Sequence, residues 1–489
     1  MSRSKETEKL VVVIASETFP PDINGAAKFT ENLAVGLAAR GHEIHVIAPS
    51  TSKRYGTYRE VHRGVPLIVH RLKSYRIPQH ASLRWASPFG LRKQSDNLLS
   101  RIKPDVVHIQ THMLVGRFVM NAAIRQGIRL IATNHTMPEN LIRYSVIIPR
   151  FAEKLAMKIW WKDTAKALAK ADLVTTPTRL AANILESNTG LTGVLAISCG
   201  IDAKAYASAP EVSNDDPTAL FVGRLDFEKQ IHILIEALSK LPNDLGRLEI
   251  VGDGAERESL GEWASELGIS NRVKFLGHVS DRGLKDAIAR STVFVMPSIA
   301  ELQSIATMEA MASGRPVIGA NAAALPHLIH DGENGFLFEP GDVDALTAAL
   351  FRVFTAKPAE LKSWARNSLH LISAHDIDTT LDRFESIYRN EADLVSETLD
   401  NQRSYSLPIV NSDAVKAGVE ALRKSARNLQ ERAEEIRDGV LERLSDVRGE
   451  VVERFEEVGY EVLNRSRKTG RKLRRAVRKA LGRFRRHDR

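Results

Sequence analysis

The chain has 489 residues, a net charge of +9 and a single cysteine, Cys199. This length suits two or three domains, and one cysteine excludes an internal disulfide and fits a reducing compartment. No run of eighteen apolar residues occurs and the first residues are polar, so we expect neither a membrane-spanning helix nor a secretory signal peptide.

Positive charge is concentrated at the end of the chain. Residues 465–489 hold thirteen Lys/Arg and one acid, a net of +12, which leaves −3 for residues 1–464. The rest of the chain is therefore mildly acidic. An appended basic run of this kind is typical of a segment that contacts an anionic surface or nucleic acid, or that keeps the protein soluble.

The first half of the chain alternates short apolar runs with helix-like stretches. A helix is predicted over 27–40, ending at Gly41. Strands are predicted at 10–15, 43–48, 105–109, 130–133, 172–176 and 194–198. Short buried strands separated by helices indicate a parallel, doubly wound sheet.

A polar segment, 203–217, interrupts this alternation and is predicted to be an inter-domain linker. The alternation then restarts, with strands predicted at 219–222, 248–251, 273–276, 293–296 and 316–318 and a last helix over 376–392. We therefore expect one domain over 1–202 and a second doubly wound domain over 218–375.

Beyond residue 401 the pattern changes. From 415 to 462 apolar residues recur three or four apart, with charges of both signs between them. This spacing predicts a long amphipathic helix or coiled-coil segment over 405–464, through which the chain could self-associate.

The segment 297–318 carries the most informative pattern. Glu301 lies at the turn between a predicted strand and the following helix, and Glu309 lies eight positions further on. A helix that follows the carboxyl end of a parallel strand is a common binding place for anionic ligands. Two carboxylates at different depths could hold hydroxyl groups of an extended, sugar-bearing ligand. A helix with two exposed glutamates is the alternative.

Other strand ends carry companion motifs. Arg224 and Lys229 follow the first strand of the second domain, where a guanidinium and an ammonium could hold phosphate oxygens. Small-residue loops at strand ends would let backbone N–H groups approach a ligand. The glycines concerned are Gly25, Gly223, Gly252 and Gly254. In the first domain His135 follows a strand, and His112 is a weaker candidate for a functional role.

The pattern of a glutamate, seven residues, a second glutamate and then Gly314-Arg315-Pro316-Val317 resembles the signature of retaining, nucleotide-sugar-dependent glycosyltransferases of family 4. The resemblance covers about residues 10–392. It implies the GT-B fold, an α/β architecture of two doubly wound, parallel-sheet, Rossmann-like domains facing a cleft. It also implies that the last helix crosses back onto the first domain; the basic, helical C-terminal extension lies beyond it.

The resemblance also implies roles for the residues quoted above. Arg224 and Lys229 would hold the donor diphosphate, and His135 and Glu301 would contact the reacting sugar. Further donor contacts would come from Gln303, Ser304, Ile305, Glu309, Gly25, Gly223, Gly252 and Gly254. Retention of configuration is expected without a metal or another cofactor.

Two segments resemble the branch that glycosylates diacylglycerol or phosphatidylinositol-type lipids: 301–304 and 134–140. The amphipathic run 148–171, with Trp160 and Trp161 beside lysines, fits an interfacial helix or a helix packed within the first domain. We therefore expect a peripheral enzyme at the cytoplasmic face of the membrane. It would move a hexose from a donor of the GDP-mannose or UDP-glucose type to a lipid hydroxyl, with an anionic membrane surface and no nucleic acid as partner.

Two alternatives remain open at this point. One is a soluble family-4 transferase that acts on a polysaccharide or small-molecule acceptor. The other is an inactive scaffold that binds partners or nucleic acid through its basic end.

Overall fold

The computed structural model describes residues 8–391 apart from Ile23, Lys53, 78–79, 139–152 and Ser208. All of these lie within one compact unit. The predicted amphipathic helix 405–464 and the basic tail 465–489 lie outside the described residues, as does the start of the run 148–171.

Eight strands form the sheet of the N-terminal lobe. They are β1 (Val11–Ala15), β2 (Glu43–Pro49), β3 (Gly56–His62), β4 (Val65–Leu72), β7 (Val106–Ile109), β8 (Arg129–Thr133), β9 (Leu173–Thr176) and β10 (Leu195–Ala196). Their order is β10-β9-β8-β7-β1-β2-β4-β3, and only the edge strand β3 runs antiparallel to its neighbour. A separate hairpin pairs β5 (Ser74–Ile77) with β6 (His80–Ala86). The chain builds outward in both directions from β1 and β7, so the sheet reverses its order between these two strands.

In the described residues up to 202, helices flank both faces of this sheet. They are α1 (Gly25–Ala39), α2 (Leu91–Ile102), α3 (Leu114–Arg125), α4 (Glu153–Leu168) and α5 (Arg179–Thr189). The central strands β1, β2, β7 and β8 are almost entirely buried, because helices cover both faces of the sheet. Their near-continuous runs of Val, Ile and Ala follow from that burial.

A six-stranded, fully parallel sheet forms the C-terminal lobe. Its strands are β11 (Thr218–Val222), β12 (Arg247–Val251), β13 (Val273–Gly277), β14 (Val293–Met296), β15 (Val317–Ala320) and β16 (Gly335–Phe338). The order β13-β12-β11-β14-β15-β16 reverses between β11 and β14. The helices are α6 (Ile231–Ser239), α7 (Arg257–Glu266), α8 (Asp281–Arg290), α9 (Ile305–Ala312), α10 (Val343–Phe354) and α11 (Pro358–Ile372).

The last described helix, α12 (Ile377–Arg389), packs on the N-terminal lobe. Phe384 is fully buried against Phe29 of α1, and the Tyr388 hydroxyl lies 2.7 Å from Nδ1 of His108 at the centre of β7. Arg40 at the end of α1 adds a 2.7 Å ion pair to Asp382. The chain therefore returns to its first lobe after completing the second.

The predicted α/β architecture of two doubly wound sheets is confirmed. Strands β3 to β6 and β16 were not among the predicted strands. The residues of β3 are mostly exposed at the sheet edge, so they lack the apolar run that marked the central strands. This antiparallel edge strand also makes the first sheet mixed rather than wholly parallel.

Candidate active site

Two loops meet where the C-terminal sheet reverses its order. One follows β11 and ends in a short 3₁₀ helix, Phe227–Lys229; the other follows β14 and leads to α9. The backbone N–H of Ile299 donates to the Glu228 carbonyl at 3.0 Å, and the Ser298 hydroxyl donates to the same oxygen at 3.3 Å. The crevice at such a reversal is the general ligand-binding position in open α/β sheets.

Lys229 and Glu301, predicted separately from two motifs, contact each other across this crevice. The lysine ammonium lies 2.5 Å from Oε1 of Glu301, and the two side chains are 13% and 11% exposed. A largely buried pair of this kind needs both partners, because removing either leaves an uncompensated charge. The pair places one cation and one carboxylate side by side at the reversal point of the sheet.

Arg224 is engaged by acidic neighbours on its own loop. Its guanidinium forms ion pairs with Asp226 and, at 2.9 Å, with Glu228, while 38% of the side chain stays exposed. Burial and the charges of these two carboxylates raise the pKa of Glu256 nearby. A diphosphate bound to Arg224 would compete with these acids for the guanidinium.

The predicted glycines of the second lobe are needed for close packing of the backbone. A Cβ on Gly252, whose φ is +126°, would lie 1.9 Å from the Gly223 carbonyl oxygen. A Cβ on Gly254 would lie 2.4 Å from the carbonyl oxygen of Leu225. The loops after β11 and β12 therefore approach with their backbones in direct contact, which only glycine permits at these positions.

Glu309 is buried within α9, where the Tyr206 hydroxyl donates to its Oε1 at 2.9 Å. Burial raises the pKa of this carboxyl, and the charges of Lys28 and Arg63 from the N-terminal lobe oppose that rise. Lys28 also lies 3.5 Å from Asp281 at the start of α8. The second predicted carboxylate is thus present beside the interlobe crevice, held by a tyrosine that the sequence analysis missed.

Residues 302–305 connect the two lobes. Leu302 accepts a 3.1 Å hydrogen bond from the Thr178 hydroxyl, and the Gln303 side chain accepts one from the Cys199 N–H at 2.7 Å. Ser304 caps α9 by accepting from the Thr307 N–H, and Ile305 packs into the N-terminal core. The side chains of these residues are already used in contacts within the protein. A contact between this segment and the donor substrate would therefore come from backbone N–H groups at the start of α9.

Gly25 is the first residue of α1, directly after the N-cap Asn24, whose side chain accepts from the Ala27 N–H at 2.9 Å. A Cβ on Gly25 would meet no atom within 4 Å. Open space above a helix N-terminus leaves room for a ligand at this position.

His135 lies at the end of β8, against the ring of Phe29 at 4.9 Å between centroids. Its Nε2 is 3.0 Å from Oε1 of Gln110, and burial lowers the pKa of the imidazole to about 4. The ring is therefore neutral at neutral pH, and an Nε2–H donated to Gln110 leaves Nδ1 as an acceptor. His112, the weaker candidate, is buried with Nε2 3.0 Å from the Thr164 hydroxyl.

Helix α4 turns both tryptophans of the predicted amphipathic run inward. Trp161 is 7% exposed, and Trp160 packs edge-on against His112. On the other face Leu155 is 61% and Ile159 60% exposed. Exposed lysines flank these two residues: Lys154, Lys158 and Lys162. The helix is therefore packed in the lobe and still presents an apolar and basic outer face.

Residues that the sequence analysis missed share one feature: their partners are far away in the chain. Tyr206 lies 103 residues before Glu309, and Gln110 lies 25 residues before His135. A lone tyrosine or glutamine forms no local pattern, so only the topology reveals these contacts.

Among the residues that the structure describes, no cluster of three or more His, Cys, Asp or Glu side chains has the arrangement of a metal site. Over the same part of the chain, every helix is too short or too polar to traverse a bilayer.

Two family models match the chain in succession. "Glycosyltransferase Family 4" matches residues 23–205, and "Glycosyl transferases group 1" matches residues 203–369. The boundary between them falls at the start of the predicted linker.

Two curated relatives and one solved structure illustrate what the chain is similar to. The alpha-monoglucosyldiacylglycerol synthase of Acholeplasma laidlawii is 26% identical over 347 residues, 67% of this chain and 85% of its own. A GDP-mannose-dependent alpha-mannosyltransferase of Mycolicibacterium smegmatis is 29% identical over 366 residues, 72% of this chain and 90% of its own. Anabaena Alr3699/HepE, solved with UDP and glucose, superposes with a TM-score of 0.61 at 19% identity, covering 77% of this chain and 99% of that one.

Proposed function

The chain belongs to family 4 of the GT-B glycosyltransferases, and from this premise we propose that it transfers a hexose from a nucleotide sugar to a lipid hydroxyl with retention of configuration. The observation that carries the proposal is the Lys229–Glu301 pair at the reversal point of the C-terminal sheet. It offers a cation for phosphate and a carboxylate for sugar hydroxyls in one crevice.

The donor is of the UDP-glucose or GDP-mannose type. The relatives support this class, because one is named for GDP-mannose and another protein of the same fold was solved with UDP and glucose. Lys229 and Arg224 would bind the diphosphate, Glu301 the hexose and Glu309 the ribose. Glu309 would accept a hydrogen bond from a ribose hydroxyl in addition to, or in place of, the one that the Tyr206 hydroxyl donates.

In the transfer step, the bond from the anomeric carbon to the β-phosphate oxygen breaks while a bond to the acceptor oxygen forms on the same face. The acceptor proton passes to the departing phosphate oxygen, and the nucleoside diphosphate leaves. Lys229, Arg224 and the N–H groups at the start of α9 would stabilise the negative charge that develops on the phosphate. Neutral His135 would accept a hydrogen bond from a hydroxyl of the donor sugar through Nδ1. We expect no metal in this step.

The lipid acceptor is supported by the outer face of α4 and by the relative named for a glucosyldiacylglycerol product. Leu155 and Ile159, surrounded by lysines, combine apolar area with positive charge, as peripheral helices do at anionic membranes. We propose that this face, with the basic tail 465–489, holds the enzyme at the cytoplasmic face of the membrane.

The donor assignment is tested by calorimetric titration of the purified protein with a panel of sugar nucleotides, followed by donor-turnover assays. We expect binding of a uridine or guanosine diphosphate sugar, and loss of turnover in Glu301→Gln and Glu309→Gln. Absence of affinity for every sugar nucleotide would refute the proposed function.

Membrane binding is tested by co-sedimentation with phosphatidylglycerol vesicles. The double variant Leu155→Ser/Ile159→Ser should bind several-fold more weakly, whereas Phe351→Ser/Leu369→Ser, which removes comparably exposed apolar residues from the C-terminal lobe, should bind like wild type. Deletion of 465–489 or high salt should weaken binding further. If the enzyme transferred the hexose to soluble glycans and not to lipid in vesicles, the proposal of a lipid acceptor would be wrong and a soluble acceptor would take its place.

A further inference from the structure

The carboxylate of Glu309, proposed to bind the donor ribose, has a hydrogen-bond partner that no motif predicts. The Tyr206 hydroxyl donates to its Oε1 at 2.9 Å, although the two residues are 103 positions apart in the chain. Glu309 is 4% exposed, so its oxygens have little access to water. A buried carboxylate depends on donors within the protein to remain ionised. Tyr206 is therefore placed to control the state of the residue that would contact the ribose.

Neighbouring elements fix the ring of Tyr206. The residue ends a short 3₁₀ helix, Ala203–Tyr206, in the segment that joins the two lobes, and this helix packs against α9. The ammonium of Lys285 on α8 lies 5.2 Å from the centre of the tyrosine ring and adds a cation–π contact. Burial and the charge of Glu309 raise the pKa of the Tyr206 hydroxyl well above its ordinary value. The hydroxyl therefore keeps its proton and remains a donor to the carboxylate.

Charged groups from both lobes face Glu309. Burial raises the pKa of its carboxyl, and the charge of Lys28 on α1 opposes that rise. The Tyr206 hydrogen bond and the charge of Arg63 also lower this pKa, whereas the charge of Asp281 at the start of α8 raises it. Removing the tyrosine hydroxyl would leave the ionised form of Glu309 to be stabilised by cations of the other lobe alone.

The hydrogen bond also fixes the direction of the carboxylate. With Oε1 bonded to Tyr206, Oε2 is left to accept a hydrogen bond from a ribose hydroxyl. A bond to an ionised carboxylate is roughly twice as strong as one between neutral groups, so the contact depends on the charge of Glu309. A donor without the ribose hydroxyl gains nothing from this arrangement.

We propose that Tyr206 is a positioning residue for the donor: it orients Glu309, keeps it ionised, and thereby gives the enzyme its preference for a ribonucleotide sugar over a deoxyribonucleotide sugar. This inference rests on the proposed function and adds to it the residue that makes the ribose contact selective.

The test compares wild type with Tyr206→Phe, which keeps the ring and its contact with Lys285 and removes only the hydroxyl. The probes are UDP-glucose, GDP-mannose and the 2′- and 3′-deoxyribose analogues of each, titrated by calorimetry. For the ribonucleotide sugar that wild type binds, the Kd of the variant should rise about tenfold or more, as for a lost bond to a charged group. For the deoxy analogue that wild type binds more weakly, the two proteins should have the same Kd. In turnover assays the donor KM should rise while kcat stays unchanged, because ribose binding is uniform between ground and transition states.

The pH dependence of donor affinity is a second readout. Ionised Glu309 accepts the ribose hydrogen bond, so affinity should be lost as the pH falls through the pKa of this carboxyl. Tyr206→Phe removes a bond to the ionised form, which raises that pKa, so the loss should begin at a higher pH than in wild type. A tyrosine that acted only in packing would leave the pH at which affinity is lost unchanged.

A double-mutant cycle separates the positioning role from a general loss of structure. In Glu309→Gln, where the carboxylate is absent, adding Tyr206→Phe should weaken donor binding no further. The matched control is Tyr388→Phe, whose lost hydroxyl lies 2.7 Å from His108 in the core of the N-terminal lobe. This control should melt at a lower temperature and keep both donor affinity and the preference for ribose.

Four results would overturn the inference. They are an unchanged Kd in Tyr206→Phe, tighter binding in that variant, equal weakening for ribonucleotide and deoxyribonucleotide sugars, and a wild type that does not distinguish the two kinds of sugar. Each of them leaves the donor assignment in place, because wild type still binds a sugar nucleotide. Failure of wild type to bind any sugar nucleotide would instead refute the proposed function.

Discussion

Lys229 and Glu301 form an ion pair, 2.5 Å between Nζ and Oε1, that joins the loops after β11 and β14. These residues are 72 positions apart in the chain, and only the reversal of strand order brings them together. The pair has two roles in our interpretation: it holds the two loops in register and it presents charges to a nucleotide sugar. Substitutions can therefore distinguish an effect of the pair on the free energy of unfolding from its effect on donor turnover.

Lys229→Ala should lower the free energy of unfolding by about 3 kcal/mol, because Glu301 is left largely buried without its partner. It should also lower kcat/KM for the donor by about 10²- to 10³-fold, the usual effect of removing a group that stabilises phosphate charge. Urea unfolding and steady-state kinetics measure the two effects.

Arg290→Ala is the control for this prediction. Arg290 pairs with Glu249 at 2.5 Å, a carboxylate as buried as Glu301 but placed on β12 away from the crevice. The variant should lose stability and keep donor kinetics. Equal kinetic losses in the two variants would show that instability alone explains the effect of Lys229→Ala.

Gly252→Ala should destabilise the C-terminal lobe by about 3 kcal/mol or more, because its Cβ would collide with the Gly223 carbonyl and its φ is +126°. Gly261→Ala, inside α7 with no atom within 4 Å of the new Cβ, should instead stabilise by about 0.5–1 kcal/mol. The denaturant midpoint of each variant, compared with that of the wild type, measures these changes in stability. A neutral result at Gly252 would mean that the loops after β11 and β12 are not in backbone contact.

The pKa of Glu17 predicts a pH-dependent difference between wild type and Glu17→Gln. In the fold this pKa is about 7 against 4.5 for an ordinary glutamate, so the native state binds the proton more tightly than the unfolded state. Its contribution to stability is therefore present below pH 4.5 and is lost as the pH rises through 7. The free energy of unfolding of the wild type minus that of Glu17→Gln should fall by about 3 kcal/mol as the pH rises from 4.5 to above 7. A pH-independent difference in unfolding free energy would contradict the prediction.

Tyr388→Phe should destabilise the docking of α12 by about 1–3 kcal/mol. The substitution leaves Nδ1 of fully buried His108 without the hydroxyl that lies 2.7 Å away. Tyr55→Phe, at a position that is 59% exposed, should have no measurable effect. Thermal unfolding followed by calorimetry distinguishes the two.

The parts of the fold that the sequence predicted are those with strong local signals. The run 293–296 forms β14 as expected, because a buried parallel strand requires continuous apolar residues. Glu301 lies in the loop that follows this strand. The edge strand β3 escaped detection, since its exposed residues carry no such run. Local pattern therefore located the centre of each sheet better than its margins.

The candidate site shows the same limit. Motifs located Lys229, Glu301 and Glu309, because the resemblance fixes residue types at set spacings. Tyr206 and Glu17 lie outside these motifs and contact partners about a hundred residues away. Any function of these residues remains a prediction. Their positions follow from the topology of the fold, which a single sequence does not reveal.

The burial of Ile305 in the N-terminal core has a thermodynamic consequence. With Gln303 bonded to Cys199 and α12 returned to the first lobe, neither lobe can melt without exposing apolar surface of the other. Heating should therefore give one cooperative calorimetric peak for the two lobes, and a nucleotide sugar bound only to the second should raise the melting temperature of both.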